Sequence, residues 1–168
     1  MNGGRLERVR IFLLAFFFFA LLSDGLTAKN RENYRPDPWE RHIVASCLIL
    51  EATGEGRRGM HAVMSVIVNR AEGEPSRIYA VVRRPWAFSV LNSATVSGES
   101  FVPIVRRASR DVNWGVALQI VDEAYRGELK DSTGGATHFV RNAPKRVYWE
   151  EHKVITRIIG NHRFLRKE

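Results

Sequence analysis

The sequence predicts a single α+β domain, mainly helical, with a small β-rich lobe towards its C-terminal end. Three observations carry this. Before Gly127, apolar residues recur at helical spacing in successive runs. After Gly127, glycine turns alternate with short stretches of β-type residues. The chain has 168 residues of which 45% are hydrophobic, one domain's worth and apolar enough to bury a core.

The N-terminus is set apart by composition. Arg5, Arg8 and Arg10 face one acid, Glu7; residues 11–22 are unbroken apolar, and residues 23–28 turn small and polar, ending in Ala28. A basic start, a short apolar run and a small residue at the cut read as a secretory signal peptide over residues 1–28. The run is short for a membrane span, which needs roughly 20 residues. Leu26 is an imperfect residue three before the cut, so an uncleaved anchor touching the membrane is the alternative. Removing the segment takes three arginines and two acids, leaving the formal +8 at about +7. The expected location is therefore exported: periplasmic, wall-associated or membrane-anchored. There a basic surface favours an acidic polymer, a headgroup or a cell wall, and a nucleic-acid partner is disfavoured. The bland reading of that charge is a solvated face. Cys47 is the only cysteine, so no intrachain disulfide forms, and its place on an apolar helix face predicts a buried thiol.

Residues 29–38 are polar, broken by Pro36 and Pro38, and read as a linker to a domain over residues 39–168. Asp37 and Pro38 resemble a helix start, as N-cap and first helical residue. In the helix that follows, Ile43, Val44, Cys47, Leu48 and Leu50 recur through residues 42–52, and Gly54 reads as the stop. A second helix over residues 57–71 buries Met60, Val63, Met64, Ile67 and Val68. Gly73 to Pro75 makes a turn, Ser76 caps a short helix to Val82, and Pro85 stops it. Residues 92–100 read as a surface loop. Val116, Ala117, Ile120, Val121 and Ala124 mark a third long helix over residues 114–126, ended by Gly127. A glycine turn at Gly134-Gly135 then leads into β-type residues 136–140, resumed at Val147-Tyr148-Trp149, and Gly160-Asn161 turns between apolar residues.

Chemistry concentrates at Glu51. It lies in the last turn of a mostly buried helix, where the dipole's negative end and apolar neighbours both disfavour its charge. Both raise its pKa, as suits a group that holds a proton near neutral pH and then releases it. Glu55, past the turn at the start of the next helix, sits where the dipole favours its charge. Glu51 is the candidate general acid.

Several segments together resemble the cell wall hydrolases of the spore-cortex-lytic enzyme type. That family's helix ending Ala-Glu-Ala-Arg-Gly-Glu matches Leu50-Glu51-Ala52-Thr53-Gly54-Glu55, with Leu50 and Thr53 departing from the pattern. Its Val-x-Asn-Arg matches Val66-Ile67-Val68-Asn69-Arg70, and its Phe-Ser matches Phe88-Ser89. Its Thr-Gly-Gly-Ala-Thr-His-Phe matches Thr133-Gly134-Gly135-Ala136-Thr137-His138-Phe139. Its Ile-Gly-x-His-x-Phe matches Ile159-Gly160-Asn161-His162-Arg163-Phe164. Residues 90–112 match poorly. The resemblance implies a lysozyme-like fold and cleavage of peptidoglycan between N-acetylmuramic acid and N-acetylglucosamine by a lytic transglycosylase. It implies Glu51 as acid/base and no cofactor or metal.

The candidate site is thus Glu51 for catalysis, with Glu55, Phe88, Ser89, Thr137, His138, Phe139, Trp149 and His162 for substrate, in a monomer whose partner is peptidoglycan. Each has a plainer reading. Glu51 could pair with Arg57 or Arg58 as a helix-end acid, and Glu55 could cap the second helix. His138 and His162 could be structural, and Phe88, Tyr148 and Trp149 could be core. Alternation along 137–139 would turn His138 away from Thr137 and Phe139. Glycosidic cleavage needs a proton for the leaving oxygen and support for an oxocarbenium-like centre. A muramidase would add a second carboxylate, whereas a transglycosylase uses the sugar's own 6-hydroxyl and needs one. The rivals are a zinc wall amidase, with ligands from His138, His162 and Asp131 or Glu150, and a basic module that only binds the wall. The sequence lacks the His-Glu-x-x-His spacing of a zinc helix.

Overall fold

Asp37 begins the folded chain as the sequence predicts: its carboxylate accepts the Trp39 N–H at 2.7 Å and Pro38 follows at the first helical position. The computed structural model describes residues 34–52 and 54–168, so residues 1–28, where the sequence predicts a signal peptide, lie outside the described residues. Helix α1 (Pro38–Glu51) is buried continuously from Ile43 to Ile49, so it is a core helix rather than an amphipathic surface one. Cys47 is fully buried, and burial pushes its thiol well up, which leaves it inert as a nucleophile. Glu40 is buried too, and its carboxylate accepts the hydroxyls of Tyr34 at 3.0 Å and Tyr125 at 2.7 Å. The two tyrosine rings stack with centroids 5.8 Å apart. Tyr34, within the polar stretch 29–38, therefore packs on the domain.

Around α1 lie α2 (Gly56–Arg70), α3 (Ile78–Arg83), α4 (Asn92–Thr95), α5 (Val102–Ala108) and α6 (Trp114–Tyr125). α1 packs on α2, α3, α5 and α6. The stripe predicted on α2 is buried at Met60, Val63, Met64 and Ile67, and half-buried at Val68. Gly127 follows α6 in the left-handed conformation expected of a helix stop.

Three local expectations change. Ser76 caps nothing, because the 3-10 turn Pro75–Arg77 places Pro75 first and runs straight into α3. Residues 92–100 are a loop only in part, since α4 follows the 3-10 turn Ser89–Leu91. Helix α5 has no counterpart in the sequence reading; it is seven residues, too short for its apolar period to stand out.

The β-rich lobe is a three-stranded antiparallel sheet of β1 (His138–Arg141), β2 (Lys153–Ile159) and β3 (His162–Lys167), in the order β1-β3-β2. Phe139 faces Phe164 across β1 and β3, and Ile159 faces His162 at the hairpin. Ala62 and Val66 of α2 meet Ala136, Ile159 and Phe164 in a second apolar cluster. α2 thus carries the main core on one face and the sheet on another, and Phe139 touches both clusters.

Residues 147–149 do not resume a strand. They enter the 3-10 turn Tyr148–Glu150, because the Glu150 carboxylate turns inward to accept the Val147 N–H at 2.9 Å and the Arg163 guanidinium at 2.7 and 2.8 Å. Arg163 also donates to the carbonyls of Ala143 and Lys145, so one buried ion pair closes the segment between β1 and β2. Arg163 pulls the Glu150 carboxyl from about 4.5 down to about 2.

Below the usual carboxylate range the unfolded chain takes up a proton that folded Glu150 refuses. Its stabilisation is therefore complete at neutral pH and lost as pH falls from about 4.5 towards 2. In Glu150→Gln the drop in urea stability between pH 6 and pH 3 should shrink; an unchanged drop would show that the pair does not set acid tolerance.

Candidate active site

Glu51 is the last residue of α1 and half-buried. Burial raises its carboxyl above the usual range, while the Val90 backbone amide, His162 and Arg70 pull the other way. Oε1 is shielded from solvent and has no hydrogen-bond partner. Arg57 does not pair with it, turning instead to Glu123 at 2.9 Å. Glu51 is thus set apart from strong counter-charge, a condition that favours the protonated acid.

Glu55 is held differently. It occupies the N-cap position of α2 without capping it, and its side chain is 5% exposed. Oε1 accepts the Asn161 N–H at 2.8 Å and lies 3.0 Å from His162 Nδ1, off the line of a hydrogen bond. Two glycines make room for it. A methyl at Gly160 would sit 2.8 Å from Glu55 Cδ, and one at Gly59 would sit 2.4 Å from Glu55 Cβ. Gly160 also has φ +55°, so both space and backbone call for glycine there. His162 stands between the two acids, 3.0 Å from one and close enough to draw down the pKa of the other.

The end of α2 fixes the neighbouring wall. Asn69 Nδ2 donates to the Ala136 carbonyl at 2.9 Å, and Arg70 Nε to the Thr137 carbonyl at 2.7 Å. Asp131 ties the glycine turn from below, accepting the N–H of Thr133 at 2.8 Å and of Gly135 at 2.6 Å. Thr137 Oγ1 lies 3.0 Å from His138 Nδ1, so these two side chains meet, and the expected opposite facing does not hold: Thr137 precedes β1. Burial, then Arg70, Lys153 and Lys167, hold the His138 imidazole below its usual value. Its ring lies 6.1 Å from that of half-buried Trp149.

Phe139 contacts the rings of Phe88, His162 and Phe164 at 5.4 to 6.4 Å. Phe88 is 2% exposed and lies under the Arg70 guanidinium at 5.1 Å, so its ring has no face free for a sugar and instead supports Arg70. Ser89 is exposed and opens the turn that brings the Val90 amide to Glu51. Glu51, Glu55, Arg70, Phe88, Phe139 and His162 thus form one connected group, with Thr137, His138 and Trp149 along its edge. The zinc ligand set does not assemble, since Asp131 is taken up by its own loop and Glu150 by Arg163; among the described residues no three His, Cys, Asp or Glu converge. Sequence reasoning gave no role to Arg70, Val90 or Gly160. Arg70 and Gly160 were visible within their motifs, whereas a backbone amide such as that of Val90 leaves no residue signal.

The cell wall hydrolase profile matches residues 54–165, a range that begins just after Glu51. Among solved structures the chain is similar to the catalytic domain of the germination-specific lytic transglycosylase SleB from Bacillus anthracis. The identity is 22% and the TM-score 0.56, over 78% of this chain and 97% of that one. The likeness is one of fold. No curated protein matches.

Two outcomes follow from the geometry. Between the usual carboxylate range and Glu51's raised value, the folded chain keeps a proton that the unfolded chain has lost, so stability falls as pH rises through that window. Glu51→Gln should remove this slope, so that its stability relative to wild type in urea unfolding is higher at pH 7 than at pH 4. Gly160→Ala should cost about 1–3 kcal/mol from its left-handed backbone and its clash. Part of that cost should return in a Glu55→Ala background, which a double-mutant cycle measures.

Proposed function

Because the chain belongs to the cell wall hydrolase family and so is a peptidoglycan-cleaving enzyme, we propose that it cuts between N-acetylmuramic acid and N-acetylglucosamine as a lytic transglycosylase with Glu51 as sole acid/base. Glu51 donates its proton to the glycosidic oxygen as the bond from muramic C1 breaks. The muramic 6-hydroxyl attacks C1, closes a 1,6-anhydro ring and returns its proton to Glu51. The step is balanced within the substrate and one carboxyl group, and water does not enter it.

The observation that carries this reading is the contrast between the two glutamates. Glu51 is half-buried, raised in pKa and, among the described residues, unpaired at Oε1, which favours a proton donor. Glu55, the second carboxylate a muramidase would use, has Oε1 spent on Asn161 and, although its Oε2 is likewise buried without a partner among the described residues, sits so tightly that a Cβ at Gly160 would touch both oxygens. On this reading Glu55 and His162 order the site, while Thr137, His138, Phe139 and Trp149 border the bound strand. The export pattern of residues 1–28 would bring a monomeric enzyme, working without a cofactor, to the compartment of its substrate.

Glu51→Gln should lower turnover of purified peptidoglycan by about 10²–10⁴-fold while the folded signal in circular dichroism is kept. Mass spectrometry of wild-type digests should find 1,6-anhydromuramic ends. Ordinary reducing ends would instead make the enzyme a muramidase, and a variant keeping more than about a tenth of wild-type turnover would remove Glu51 from the chemistry.

A further inference from the structure

A cavity of about 700 Å³ opens beside the Arg70–Thr137 contact, lined by Arg70, Arg77, Arg84, Trp86, His138 and Lys167 among others. Its one acid, Glu72, is paired with Arg77. Arg84 and Lys167 make no side-chain hydrogen bond or ion pair among the described residues. Both face the cavity, where the charge of Arg84 is felt at Arg70 and that of Lys167 at His138. The cavity therefore holds uncompensated positive charge in a concave surface, the condition that concentrates anions.

Trp86 marks its rim. It is 74% exposed and has φ +65°, at the third position of a turn closed by Ala87 N–H to the Arg84 carbonyl at 3.1 Å. Glycine or asparagine ordinarily fills such a place. A tryptophan held there, strained and turned out to water, gains nothing from packing and suits contact with a ligand.

Peptidoglycan supplies an anion beside the bond that is cut. The muramic acid whose C1 reacts carries, through its lactyl ether at C3, a short peptide with free carboxylates. We propose that this cavity is a subsite for that acidic peptide, with Arg84 and Lys167 holding its carboxylates and Trp86 lying against its chain. The inference rests on the cleavage reading above, because only cutting at muramic acid places the peptide next to Arg70 and His138.

The test compares two substrates: peptide-bearing glycan strands, and the same strands stripped of peptide by an amidase. Wild type should prefer the first. Arg84→Ala and Lys167→Ala should each lower kcat/KM about tenfold on peptide-bearing strands, the loss of one charge-assisted contact, and leave stripped strands within about twofold. Trp86→Gly, which relieves the backbone while removing the ring, should follow the same pattern. Arg107→Ala, on the exposed side of α5, removes an equal charge elsewhere and should change neither substrate. Equal losses on both substrates, or losses matched by Arg107→Ala, would overturn the subsite in favour of general attraction to an anionic polymer. Failure of the cleavage reading shows separately, in the wild type's product ends, and the substrate ratio of the variants still decides the subsite.

Discussion

The site depends on Glu55, the carboxylate that joins the helices to the sheet. Glu55 leaves the helical lobe at the start of α2, enters a slot between Gly59 and Gly160, and accepts the Asn161 amide of the β2–β3 turn. That contact ties the β2–β3 turn, and with it His162, to the start of α2. The apolar contacts of Ala62 and Val66 with Ile159 and Phe164 hold the same sheet on α2, so His162, whose charge tempers the burial of Glu51, is fixed from two sides. Glycine is required at the slot because a side chain on either flank would occupy the acid's own volume.

Three other buried acids show how environment separates role. Glu40 is satisfied by two tyrosine hydroxyls and lies inside the main core. Glu150 is matched by a guanidinium with two parallel bonds, a geometry that holds it ionised and fixes a backbone turn. Glu51 has a single amide, more distant positive charge and one orphan oxygen. An unsatisfied buried polar atom costs about 1–3 kcal/mol, and the site gathers three of them, Glu51 Oε1, Glu55 Oε2 and His162 Nδ1, a concentration that calls for a functional account. The first two groups are locked; the third is poised.

Much of this was legible in the sequence. The long helices α1, α2 and α6 announce themselves by apolar period, and Asp37-Pro38 and Gly127 by their backbone chemistry. The hairpin at Gly160-Asn161 is equally plain. What stayed hidden depended on contacts distant in the chain. Trp149 and Tyr148 look like strand residues locally, but the turn they enter is imposed by Arg163 on the far side of β2. Phe88 looks like a sugar platform until Arg70 is seen to cover it. The alternation read over residues 137–139 is lost at Thr137, which lies before β1, while His138 and Phe139 still turn to different partners, Trp149 on one side and Phe88, His162 and Phe164 on the other.

The separation of Glu55 from its partner has a consequence for how the enzyme is made. The Asn161 amide lies 106 residues further along the chain than the acid that needs it. A growing chain carries Glu51 and the helices around it long before the slot at Gly160 exists. In that interval Glu55 has no amide to meet, and the groups around Glu51 are not yet gathered. The glycan-cutting centre is therefore a late product of synthesis, complete only once the hairpin that carries Asn161 and His162 has been built.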